Sequence, residues 1–286
     1  MNIGKECYLC IYNQTFNITN RLNLDEKMAA KVLQKAAFVL SNYDTSSPPP
    51  IVASEVYEKI SEITKKEDLY EKEKVEAINE ALKFKPILKN RLSKSKDRLF
   101  DACKIAVAGN VIDLGINQEY DLTKEIKRIF EMDFFKNDYD EFKEKLLKVK
   151  TICYLADNAG ENVFDEILIK VIKEFNPEVK VFYIVRGRPV INDVTIKDLK
   201  GLEIFELAEV IDSGVDSPGF CLDKANKKSI DIFNNSDLII SKGMGNFECL
   251  FNEIKREIFY LFKVKCDVVA RESNSKNGEY MLMKSK

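Results

Sequence analysis

The sequence predicts a doubly wound α/β domain with a mainly parallel sheet over residues 149–286, preceded by an all-helical subdomain over residues 1–148. Three observations carry this. Apolar residues recur at three- and four-residue spacing through the first half. After Val149 short β-rich runs alternate with helical stretches, the pattern of βαβ units. The ends of those runs are polar, as expected where a parallel sheet opens its ligand crevice.

Taken in order, residues 24–42 predict a helix with Asp25 and Glu26 in its first turn, where acidic groups suit the helix dipole. Three prolines, Pro48, Pro49 and Pro50, then interrupt the chain because they supply no backbone donor and disfavour helix before them. Helices are expected over 51–65, 68–82, 86–92 and 97–111, and the charged stretch 120–150 reads as mostly helical and amphipathic. The β-rich runs are 152–156, 179–185, 203–211, 238–241 and 257–262, with helical patterns at 161–175 and 222–234. No internal repeat of fixed period is visible.

Composition narrows the chemistry. A formal net charge of -2 gives no bulk electrostatic reason to expect a nucleic-acid or membrane-surface partner. No apolar run reaches the roughly 18 residues of a membrane span, so the expected location is cytoplasmic. Seven cysteines are an odd number, most of them in apolar surroundings, which suits reduced thiols better than a disulfide framework. There is no histidine, so a Ser-His-Asp triad, a Cys-His pair and every His-ligated metal are excluded. Catalysis must use carboxylates, amides, lysine, arginine, hydroxyls, thiols or an oxygen-held metal.

The polar groups fall at four strand ends: Asp157-Asn158-Ala159-Gly160-Glu161, Arg186-Gly187-Arg188-Pro189, Asp212-Ser213-Gly214 and Lys242-Gly243-Met244-Gly245-Asn246. Asp157 and Asn158 offer adjacent oxygen ligands suited to a hard divalent cation. An Asp at this position caps the following helix equally well. Asp193, in Asn192-Asp193-Val194-Thr195, fits either a cap or a further oxygen ligand, and Asp198 reads as solvated. Lys242 with Gly243 and Gly245 follows the logic of a phosphate loop, although the Walker A order is missing. Cys7-x-x-Cys10 lacks the partners a structural zinc needs and reads as packing or support near the site. Gly109 and Asn110 end a helix, or contribute from the helical half to the crevice.

With these residues laid out, the sequence resembles the metal-dependent damage-control phosphatases, also known as domain-of-unknown-function family 89 or ARMT1-like. The resemblance runs through Cys7-x-x-Cys10, residues 108–113, residues 157–161 with Asp165 behind them, residues 192–195, residues 242–248 and Lys265-Cys266. It looks like the compact archaeal and bacterial branch. It implies a three-layer α/β/α sandwich carrying the helical subdomain. Asp157, Asn158 and Asp193 would hold a divalent metal ion (Mn, Co, Ni or Mg), with Lys242 helping to bind phosphate. The implied substrate is a small phosphorylated metabolite, a phosphomonoester such as a sugar phosphate or a damaged phosphometabolite. One departure is Met244, where a glutamine is expected.

On this reading Asp157, Asp193, Lys242 and Glu161 are the catalytic group, with Glu161 orienting a water or supporting the metal. Asn110, Arg188, Lys242, Gly243, Gly245, Asn246 and Glu248 are the expected substrate-binding set. The attacking group is water or Asp157 itself. Two alternatives compete: S-adenosylmethionine-dependent carboxyl methyl transfer, and a non-catalytic phosphometabolite-binding module. The oligomeric state is not legible from the sequence.

Overall fold

The computed structural model describes residues 1–109 and 122–285. Five helices come first: α1 (Lys5–Arg21), α2 (Glu26–Ser41), α3 (Pro49–Thr64), α4 (Glu71–Leu92) and α5 (Arg98–Ala108). Then follow α6 (Leu122–Glu131), β1 (Phe134–Asn137), α7 (Tyr139–Leu146), β2 (Thr151–Leu155), α8 (Glu161–Phe175) and β3 (Lys180–Val185). After a 3-10 turn at Ile196–Leu199 come α9 (Ile204–Leu207), β4 (Glu209–Asp212), α10 (Lys227–Asn235), β5 (Leu238–Lys242) and α11 (Gly243–Leu250). The chain closes with β6 (Phe259–Lys263), α12 (Asp267–Glu272) and β7 (Tyr280–Lys284).

The seven strands form one sheet in the order β1-β7-β6-β5-β2-β3-β4, parallel throughout except for the β6–β7 pair. Alternate strand residues enter opposite cores, as the period-2 geometry of strands requires. Ile152, Tyr154, Val181 and Tyr183 join α4, α5 and α8 on one face. Cys153, Leu155, Ile184 and Ile239 join α1, α2, α3 and α11 on the other. The result is the expected α/β/α sandwich. From β2 the chain winds outward to β3 and β4, and from β5 it winds the other way to β6 and β7. The reversal lies between β2 and β5, the switch point where doubly wound sheets bind ligands. No helix among the described residues is long and apolar enough to cross a membrane.

Several local expectations are corrected. The stretch 120–150 is not all helix, because Phe134–Asn137 forms β1 against β7. Residues 68–92 do not break before Pro86: α4 runs through it. Packing of Phe84, Leu88 and Leu92 in the core outweighs the lost backbone bond. The run 203–211 is a short helix and a short strand, and Glu166 Oε1 accepts the Ile204 amide at 3.0 Å to start that helix. Asp198 is not solvated, since it accepts from Lys74 Nζ at 2.8 Å and from the Thr195 hydroxyl at 2.7 Å.

Candidate active site

The site is built by two loops that pair across the switch point. Past the end of β2, Val194 N donates to Asp157 O at 2.9 Å and Ala159 N to Asn192 O at 2.9 Å. Asn158 and Asp193 therefore face each other as an isolated antiparallel bridge. This pairing gathers Asp157, Asn158 and Asp193, which lie up to 36 residues apart in sequence.

Each member is held in a defined orientation. Asn158 Nδ2 donates to Asp157 Oδ2 at 3.0 Å and to Glu161 Oε1 at 2.9 Å, so its Oδ1 is turned away as an acceptor. Asp193 Oδ2 accepts from Arg186 Nε at 2.6 Å, while its buried Oδ1 has no hydrogen-bond partner. Burial pushes the Asp193 carboxyl up to about 7; Arg186 opposes the rise and the Asp157 charge adds to it. Burial likewise pushes Glu161 up to about 7 against the pull of Lys242, with Asp157 again adding to the rise.

Gly243 starts α11 at φ +77, a conformation open to glycine at little cost. A β-carbon there would collide with the Asp157 carboxylate, so glycine is required twice over. The expected phosphate loop is thus the first turn of a helix. No side chain caps it, and its first amides have no partner within the helix. Gly245 packs its backbone against Pro218 and Gly219, leaving no room for a side chain.

Lys242 is fully buried and bonds to Asp165 Oδ1 at 2.8 Å and Glu161 Oε2 at 3.2 Å. Burial alone would lower its pKa; Asp165 and Glu161 reverse that and raise it. Asp165 also accepts from the hydroxyls of Tyr154 at 2.6 Å and Tyr183 at 2.8 Å. The ammonium expected to help bind phosphate thus donates to these two carboxylates.

Asn246 is engaged within the fold as well. Its Oδ1 accepts from Arg186 Nη2 at 2.9 Å and Phe220 N at 2.7 Å. Its Nδ2 donates to Ala156 O at 3.0 Å and Lys242 O at 2.7 Å. With every hydrogen-bonding position used, it clamps β2, β5 and Arg186 together. Arg188 is exposed and lines a different cavity of 470 Å³ with Ser54 and Asp216. On this loop it is Arg186, one of the polar strand-end residues but not in the expected substrate-binding set, that meets Asp193 and Asn246. Asn110 lies outside the described residues.

Outside the Gly243–Gly245 turn lies a cavity of 310 Å³. Tyr57, Glu248 and Lys265 are in its walls. Met244 and Gly245 of the α11 first turn line it too, and so does Ile191, two residues before Asp193. Burial pushes Glu248 up to about 7. Tyr57 carried no signal in the sequence, because its place depends on how α1 and α3 pack, whereas Cys7 and Cys10, read as packing or support near the site, line the same cavity.

Among the described residues no three Asp, Glu, Cys or His groups form a metal-ligand cluster. The candidate set is two carboxylates and one amide. Asp193 Oδ1, orphaned and buried, is the atom that a hard cation would satisfy, and the Asn158 amide is pinned with its oxygen turned outward. Two carboxylates plus an amide suit a divalent cation that keeps waters.

Comparison with known proteins agrees across the whole chain. Residues 3–281 match the pattern of the damage-control phosphatase ARMT1-like domain. A damage-control phosphatase of Pyrococcus horikoshii is 31% identical over 288 residues, covering 100% of this chain and 99% of the relative. A damage-control phosphatase of Archaeoglobus fulgidus is 29% identical, covering 98% of each. The crystal structure of a DUF89 family protein from Pyrococcus horikoshii superposes with a TM-score of 0.94 at 32% identity, covering 100% of both chains.

Proposed function

The chain belongs to the damage-control phosphatase ARMT1-like family, and from that premise we propose that it hydrolyses small phosphomonoesters at the Asp157, Asn158 and Asp193 cluster with a divalent cation. The observation that carries the cluster is the buried, unpartnered Oδ1 of Asp193, on the residue whose backbone bridges Asn158.

Asp157, Asn158 and Asp193 would hold the cation, which when bound would polarise phosphate oxygens and offset charge on the departing alkoxide. The chain's own groups supply the rest. First-turn amides of α11 at Gly243, Met244 and Gly245 are donors for phosphate oxygens, preorganised by the helix start. Glu161 fixes the Asn158 amide. Lys242 offsets the charge of Glu161 and Asp165 beneath the cluster. Arg186 holds Asp193 in place. The substrate is a small phosphorylated metabolite, and the choice of Mn, Co, Ni or Mg belongs to experiment. Methyl transfer has no support here, since the end of β3 carries Arg186 on Asp193 and no acidic residue for a cofactor ribose.

The test is orthophosphate release from a phosphomonoester panel by chelator-treated protein, with each cation restored in turn. Asp157→Asn and Asp193→Ala should each lose at least about 100-fold in turnover, the scale of losing a preorganised charge-stabilising group. Wild-type-like turnover in either variant would refute the site; binding without release across the panel would favour a non-catalytic module.

A further inference from the structure

The 310 Å³ cavity adjoins the proposed site: Met244 and Gly245 line it, Gly243 of the same turn packs against the Asp157 carboxylate, and Ile191, two residues before Asp193, is in its wall. It is at the small end of the roughly 300–1,000 Å³ spanned by small-molecule sites. Several of its polar groups bond to one another. The Tyr57 hydroxyl donates to Gln14 Oε1, and Gln14 Nε2 donates to Cys10 Sγ at 3.4 Å. On the opposite wall the Lys265 amide donates to Met244 Sδ at 3.1 Å. Glu6 is engaged by Arg271 at 3.2 Å.

These donor chains end on sulfur, a weak acceptor. Cys7 and Cys266 bring two more thiols to the same space, so four sulfurs line it. Burial pushes Cys7 up to about 11 and raises Cys266, which leaves both thiols neutral at ordinary pH. Apolar side chains such as Ile11, Ala53 and Val268 fill much of the remainder. The charged groups in the wall are Glu248, Lys265 and Glu6.

A hydroxyl moved from water into such a space without a partner loses its hydration and gains nothing. We infer that this pocket selects phosphomonoesters whose alcohol part is compact and sparsely hydroxylated, with a single donor for Glu248, over fully hydroxylated sugar phosphates. This inference rests on the phosphatase reading of the adjoining site and narrows its substrate class. Met244 is the specificity-determining residue, because a side chain with amide donors there would serve hydroxyls that a thioether does not.

A matched pair of substrates tests it: 6-hydroxyhexyl phosphate against a hexose 6-phosphate. Wild type should favour the first by about 100-fold in kcat/KM, since an apolar pocket rejects added hydroxyls on that scale. Met244→Gln should narrow the ratio about tenfold. Equal or better use of the hexose ester by wild type, or an unmoved ratio in Met244→Gln, overturns the inference.

A second measurement does not depend on turnover. Maleimide labelling of exposed Cys10, followed by mass spectrometry, should be slowed by 6-hydroxyhexyl phosphate and not by orthophosphate. Turnover without this shielding defeats the pocket assignment, whereas shielding without turnover of any phosphomonoester defeats the phosphatase reading and leaves the pocket standing.

Discussion

Replacing Arg186 with methionine probes the support of the site without touching a proposed metal ligand. Arg186 is 1% exposed, with Nε 2.6 Å from Asp193 Oδ2 and Nη2 2.9 Å from Asn246 Oδ1. Methionine keeps much of the apolar stem and removes both donors. Breaking one side of a buried ion pair costs roughly 3–5 kcal/mol, because the remaining charge stays uncompensated at low dielectric. Asp193 has an escape, since burial already pushes its carboxyl up to about 7 and Arg186 is what opposes the rise. Without the guanidinium it holds its proton at neutral pH, which places the loss near the low end, about 3 kcal/mol. Urea unfolding at pH 7 without added metal measures this directly. Arg186→Lys should fall between the two, because one ammonium cannot reproduce two bonds at fixed geometry. A loss under about 1 kcal/mol in Arg186→Met would refute the reasoning, for that is the scale of an exposed pair.

Three further outcomes are expected. Gly243→Ala should lose about 1–2 kcal/mol from its positive φ and nearly all phosphate release, because the new methyl displaces the Asp157 carboxylate; a thermal melt and a turnover assay check both. Tyr183→Phe leaves Asp165 Oδ2 without its 2.8 Å donor and should cost about 1–3 kcal/mol in urea unfolding. Glu203 is held at about 2 by its hydrogen bond to Lys85, with burial opposing and Lys89 adding. A depressed carboxyl stabilises the fold above its unfolded pKa and loses that contribution as pH falls through the folded value. Wild type should therefore lose about 1–2 kcal/mol from this group between pH about 4.5 and about 2, after allowance for solvent screening, and Glu203→Gln should not.

Where local pattern and tertiary packing agree, the sequence was readable. Residues 161–175 form α8 as expected, and β2, β3 and β5 fall within a residue or so of their β-rich runs. Asp157 with Asn158, and Lys242 with Gly243, sit at strand ends beside each other because Leu155 pairs with Ser241 across the switch point. The failures share a cause, namely contacts distant in sequence. β1 exists because β7 lies alongside it, 146 positions away at Phe134 and Tyr280. Asn246 carries no sign in sequence that its four bonds all turn inward. Arg188 was chosen over Arg186 because composition marks both, and only the geometry of the β3 end decides which one meets Asp193.

Manganese binding tests the central claim most directly. Chelator-treated wild type and Asp193→Ala would be titrated with Mn²⁺ and the free ion followed by electron paramagnetic resonance. Wild type should bind the ion at the Asp157, Asn158 and Asp193 cluster, and the variant, lacking the orphaned Oδ1, should lose that binding by at least about tenfold. Equal stoichiometry and affinity in the two proteins would contradict a cation held at this cluster.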